Sequence, residues 1–100
     1  MQAKIIIKRK FIKGKQREII ALLRELRSGA LQQTGYISGE TLSSREDPQL
    51  LVVIGSWQDM ESWIAWREND TRKTLERMLE TYQETASEYQ ELTLGTFIED

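Results

Sequence analysis

The spacing of apolar residues predicts an α+β domain with the ferredoxin-like order β-α-β-β-α-β. Three features carry that expectation. Stretches that alternate apolar and polar residues, or run unbroken through β-branched ones, stand at 3–12, 34–44, 49–57 and 91–98. Between the first pair and the last pair, apolar residues instead recur every three or four positions, as on a helix face. Turn formers such as Lys13-Gly14-Lys15 and Asp47-Pro48 separate the segments, and no repeat or low-complexity tract interrupts the 100 residues. Residues 1–100 are therefore read as one domain.

Ala3 to Ile12 is the expected first strand. Ala3, Ile5, Ile7 and Phe11 fall on one face, and Lys4, Ile6, Lys8, Lys10 and Ile12 on the other. The lysines and Arg9 imply that one face meets water or the mouth of a cavity. The first helix is expected from Gln16 to Ala30, with Ile19, Ile20, Leu22, Leu23, Leu26 and Ala30 as its stripe and Ser28-Gly29 as its stop. The second strand, Thr34 to Ser44, places Tyr36, Ser38, Glu40 and Leu42 on one side and Ile37, Gly39 and Thr41 on the other. In the third, Gln49 to Trp57, the unbroken apolar run Leu50 to Ile54 suits a strand covered on both faces.

Asp59 is an acceptable N-cap for a helix whose stripe is Met60, Trp63, Ile64 and the stem of Arg67. Asn69-Asp70-Thr71 interrupts it and caps a longer helix to about Gln90, on which Leu75, Met78, Leu79, Tyr82, Ala86 and Tyr89 share a narrow sector. Glu91 to Ile98 closes the chain as the last strand, with Leu92, Leu94, Thr96 and Ile98 alternating. Both helices on one side of a four-stranded antiparallel sheet leave the other side bare. That side would carry Ile, Leu and Val from several strands, more apolar area than a monomer exposes, so a homodimer with two sheets packed face to face is expected.

Composition excludes several chemistries. The chain has no cysteine and no histidine, which rules out disulfides, thiolate nucleophiles, Ser-His-Asp triads and iron ligation by either residue. Asp47, Asp59 and Asp70 are too scattered for a carboxylate metal site, and no cofactor is expected. No apolar run reaches the ~20 residues of a membrane helix, and Ile5-Ile6-Ile7 is followed at once by Lys8-Arg9-Lys10, unlike a signal peptide. A cytoplasmic protein with no membrane partner is expected. Net charge is −2, but residues 1–28 carry nine Lys/Arg against two Asp/Glu, a balance of +7. The remaining residues carry five against fourteen, a balance of −9. Basic and acidic elements lying side by side account for this better than a nucleic-acid face, since aromatic residues are not interleaved with the basic ones.

Gly35-Tyr36-Ile37-Ser38-Gly39-Glu40, the Asp47-Pro48 turn and the S-W-x-D-x-E-S-W-x-x-W run from Ser56 to Trp66, set in this topology, resemble the antibiotic biosynthesis monooxygenase family. The resemblance covers nearly the whole chain. It implies a dimeric α+β barrel and a small-molecule ligand, with some members oxygenating aromatic polyketides through O₂ without metal or flavin. Other members degrade heme, using an asparagine, a tryptophan and a histidine that fall here on Ile7, Trp66 and Glu76; only the tryptophan matches.

The resemblance and the helix geometry together single out Trp66 as a cavity wall, with a rim tryptophan covering the core as the alternative. Trp63 lies on the stripe and reads as core, and Trp57 as a strand-end anchor. Arg9 is a candidate for stabilising an anionic intermediate and Tyr36 for donating a phenolic hydrogen bond, with a solvated strand face and plain packing as the respective alternatives. Ile7, Trp66, Glu76 and Tyr82 are the expected pocket residues. Three functions remain open: cofactor-independent oxygenation of an aromatic or quinone-like substrate, ligand binding without catalysis in a dimeric barrel, and heme binding without histidine.

Overall fold

The computed structural model describes residues 1–95. Its elements are β1 (Ala3–Lys10), α1 (Gln16–Leu31), β2 (Tyr36–Ser43), β3 (Leu50–Trp57), α2 (Met60–Arg67), α3 (Asp70–Glu80) and β4 (Glu88–Thr93). All strands pair antiparallel in the order β2-β3-β1-β4, which is the expected ferredoxin-like α+β fold.

Register decides which side chains meet the helices. Directly opposed residues of an antiparallel pair share a face, so Ala3, Ile5, Ile7 and Arg9 of β1 lie with Trp57, Gly55, Val53 and Leu51 of β3. Glu91 and Tyr89 of β4 join that inner face opposite Ile5 and Ile7. Alternation along β1 follows: Ala3, Ile5, Ile7 and Arg9 are buried, whereas Lys8 is exposed on the outer face. Arg9 therefore separates from the lysines around it and points into the protein. The core forms where this inner face meets Ile19, Leu22, Leu26 and Ala30 of α1, Trp63 and Trp66 of α2, and Leu75 and Leu79 of α3.

Both expected caps are present. The Asp59 carboxylate accepts from the Ser62 amide at 2.8 Å, and Asn69 Oδ1 accepts from the Arg72 amide at 3.1 Å, each satisfying a first-turn donor. Gly35 sits at φ +87° in the turn before β2, a conformation that disfavours side chains, and its position faces Ser62.

Four expectations are corrected. In β2, a register shift between Tyr36 and Ser38 absorbs Ile37, so Tyr36 shares the inner face with Gly39 and Thr41 while Ser38, Glu40 and Leu42 face outward. Strict alternation had put Tyr36 on the opposite side from Gly39. The first helix does not stop at Ser28-Gly29 but runs to Leu31. On α2, the inward residues are Trp63 and Trp66; Ile64 is exposed, so the stripe is rotated from the expected one.

The last helix ends at Glu80 rather than Gln90. Its apolar periodicity continues through Tyr82, Ala86 and Tyr89, but tertiary pairing wins over local pattern. The Ile12 amide donates to the Tyr82 carbonyl at 2.8 Å and the Glu84 amide to the Lys10 carbonyl at 2.8 Å, which turns the chain back along the free edge of β1. Ten further helical residues would advance ~15 Å and leave that edge unpaired. Tyr89 consequently belongs to β4, opposite Ile7. Of the expected final strand, Thr96 and Ile98 lie outside the described residues.

Candidate functional site

Between the inner sheet face and the helices lies a cavity of about 340 Å³, within the ~300–1,000 Å³ typical of small-molecule sites. Its walls are mostly apolar and aromatic: Ile5, Ile7, Leu23, Leu26, Leu51 and Val53, with Tyr36, Trp57, Trp63 and Trp66. Gly39 and Gly55 are paired neighbours on the inner face of the sheet, and their missing side chains admit the aromatic wall: a Cβ on Gly39 would come within 2.5 Å of the Tyr36 hydroxyl, and one on Gly55 within 3.4 Å of Trp57 Nε1. Tyr36 and Trp57 close one end in an edge-to-face contact with centroids 5.1 Å apart.

Trp66 is buried at 4% exposure, as α2 turns its Trp63/Trp66 face toward the sheet and α1. It can pack so closely on α1 because Gly29 lacks a side chain: a Cβ there would come within 2.5 Å of Trp66 Cη2. The glycine expected to end the helix instead admits the indole. Trp66 is thus a cavity wall and not an outer rim.

At the deep end of the cavity stands a charged cluster. Arg9 Nη2 donates to Glu76 Oε2 at 2.6 Å, and Arg72 Nη2 donates to the same oxygen at 2.8 Å. The Tyr89 hydroxyl accepts from Arg72 Nη2 at 2.8 Å and donates to Glu76 Oε2 at 3.3 Å. Arg72 also lies over the rings of Trp63 and Tyr89, 5.1 and 5.5 Å from their centroids. Arg9, Arg72 and Glu76 are all buried, so the carboxylate is held by two guanidiniums away from bulk water. Arg9 Nε and Glu76 Oε1 have no hydrogen-bond partner among the described residues.

Glu91 supports the site from behind. Its carboxylate accepts from the Trp63 indole N–H and, at 2.7 Å, from Arg67 Nη1, tying β4 to α2. The indole N–H first, and then the Arg67 guanidinium, hold this carboxyl below the ordinary glutamate value. Arg72 and Glu76 also form the wall toward a charged surface depression of about 440 Å³ on the other side of α3.

Of the residues expected from the sequence, Ile7, Arg9, Tyr36, Trp66 and Glu76 are brought together on this one cavity. Tyr82 is not among its lining residues: with α3 ended at Glu80, it packs at the far end of the core beside Ile12 instead. Sequence reading did not single out Arg72 or Glu91, and took Gly29 only as a helix stop. The i,i+4 spacing of Arg72 and Glu76 is the signal that could have paired the first of these; the other two contacts are long-range. No group of three or more metal-ligating side chains occurs among the described residues, and no helix there is long and apolar enough to cross a membrane.

A family model described as antibiotic biosynthesis monooxygenase matches residues 3–78. Similar solved structures include a conserved protein from Methanosarcina mazei Go1, with a TM-score of 0.86 at 20% identity over 92% of this chain and 91% of that one. The cofactor-independent oxygenase SnoaB from Streptomyces nogalater superposes with a TM-score of 0.80 at 15% identity over 100% of both chains. Rv0793 from Mycobacterium tuberculosis gives 0.84 at 11% identity over 96% and 97%. At these identities the likeness is one of fold. No curated protein sequence matches significantly.

Proposed function

We propose that this chain, which belongs to the antibiotic biosynthesis monooxygenase family, binds a small aromatic or quinone-like molecule beside Trp66 and oxygenates it without a cofactor. The observation that carries this reading is the cavity itself: flat aromatic walls, an apolar body and buried cationic groups at one end. Trp66 offers a face for a ring to lie against, Arg9 stabilises negative charge on a substrate oxygen, and Tyr36 supplies a phenolic hydroxyl. SnoaB, a cofactor-independent oxygenase, shares the fold that builds this cavity.

Such a reaction asks the protein for little beyond a dry site and stabilised anionic charge. A ring methylene flanked by a carbonyl system loses a proton, its carbanion gives electrons to O₂, and a hydroperoxide forms at that carbon. Loss of water leaves a new carbonyl, so one oxygen atom enters the product and the other leaves as water. Oxygen uptake with a panel of anthrones and hydroquinones tests this. One O₂ consumed per product, and a fall of at least tenfold for Trp66→Phe or Arg9→Gln, is expected; uptake no faster than without protein sinks the enzymatic reading.

One observation favours a second reading, ligand binding without turnover. Among the described residues Glu76 is the one carboxylate in the cavity wall, and its Oε2 is already paired with Arg9 and Arg72, so that wall holds no carboxylate outside an ion pair to act as general base. Binding of ring compounds with no oxygen uptake would decide for it. Heme suits these residues poorly. The position of the family's histidine holds this paired carboxylate and that of its asparagine holds Ile7, so hemin titration is expected to give no Soret shift.

The same reading includes a homodimer. The outer sheet face carries Ile6, Leu42, Leu50, Val52, Ile54 and Leu92, with Leu42 and Leu92 each near half exposed in the single chain. A second sheet packed against it would cover these side chains, as the family's dimeric barrels do.

A further inference from the structure

The charges around the cavity are strongly one-sided. Among the described residues its wall holds four arginines, Arg9, Arg24, Arg27 and Arg72, against one acid, Glu76, although the chain as a whole is net −2. Burial sorts them by depth. Arg9 and Arg72 are buried at the inner end, whereas Arg24 and Arg27 of α1 are exposed and therefore stand at the mouth. Neither mouth arginine makes a salt bridge among the described residues. At the inner end Glu76 balances only one of two guanidiniums, and it meets Arg9 through Nη2 alone, leaving the Arg9 Nε–H without an acceptor. A buried donor left unmet is costly, and a net positive charge in an apolar enclosure more so.

We infer that the molecule this cavity takes is an anion: a small aromatic acid, its ionised oxygen drawn past Arg24 and Arg27 and held against Arg9. This rests on the reading of the cavity as a ligand site and names the class of ring it selects. The exposed arginines raise the local concentration of anions and do so less at high salt. The buried pair supplies a charge-assisted hydrogen bond in a low-dielectric site.

Isothermal titration calorimetry with 2-naphthoate and its neutral isostere 2-naphthamide separates the possibilities. The acid is expected to bind at least tenfold more tightly than the amide, with the advantage shrinking as salt is raised. Because Arg9 is buried in an ion pair and its variants risk misfolding, the second test uses the exposed Arg24→Gln/Arg27→Gln variant. It is expected to weaken the acid several-fold and to leave the amide unchanged. Equal affinities, or tighter binding of the amide, overturn the inference while the cavity remains a ligand site. Binding of neither ring overturns both.

Discussion

Glu76 joins more of the site than any other side chain: one oxygen serves Arg9, Arg72 and Tyr89. Removing its charge leaves two buried guanidiniums facing each other, so Glu76→Gln is expected to destabilise the fold by about 3 kcal/mol, measured by urea denaturation. A loss under about 1 kcal/mol would mean that water already screens the cluster. At this scale the sequence was informative where a rule of alternation or a family position applied. Parity on β1 puts Arg9 with Ile7, although it was read with the lysines of the water-facing side; Trp66 and Glu76 fall on positions the family uses. Arg72 was not found, since its neighbours Trp63 and Tyr89 come from other elements and the expected helix had enclosed Tyr89. Tyr82 was misplaced for the same reason.

Among the elements, the contact between α1 and α2 gives the sharpest test. Gly29→Ala inside a helix would ordinarily stabilise by about 1 kcal/mol. Here the added methyl meets the Trp66 ring, and the sign is expected to reverse to a loss of about 1–3 kcal/mol. The smaller ring of Trp66→Phe is expected to relieve most of it in the double variant, read as non-additive urea midpoints. The β4–α2 tie responds to pH. The Glu91 carboxyl is lowered by Trp63 and Arg67, so the folded state binds its proton less readily than the unfolded chain does. Its contribution is present above the unfolded value of about 4.3 and is lost as pH falls through the lower folded value. The stability gap between the native chain and Glu91→Gln is expected to narrow over that acid range and to stay constant near neutrality. The strands themselves and the helix caps were legible in the sequence because their patterns are local. The bulge at Tyr36/Ser38 and the end of α3 were not, because each is set by a neighbouring strand's register.

For the whole molecule, the order of elements and the sheet topology followed from periodicity and turn residues, and the cavity did not. Its walls depend on Tyr36 meeting Trp57 across β2 and β3 and on Trp66 filling the space over Gly29, pairings that no local pattern encodes. Size-exclusion chromatography with light scattering is expected to give twice the chain mass for the native protein. Ile54→Lys, on the outer face, is expected to give a folded monomer or a weakened dimer by burying charge in the interface. A monomeric native protein would leave that apolar face without an explanation.

The most direct test is where a bound ring sits. Isotope-filtered NMR on the protein with the tightest-binding aromatic acid should give intermolecular NOEs from the ring to the Trp66 indole and to the methyl groups of Ile7 and Val53. NOEs confined to the outer sheet face, at Ile54 and Leu92, would contradict the assignment of the cavity as the functional site.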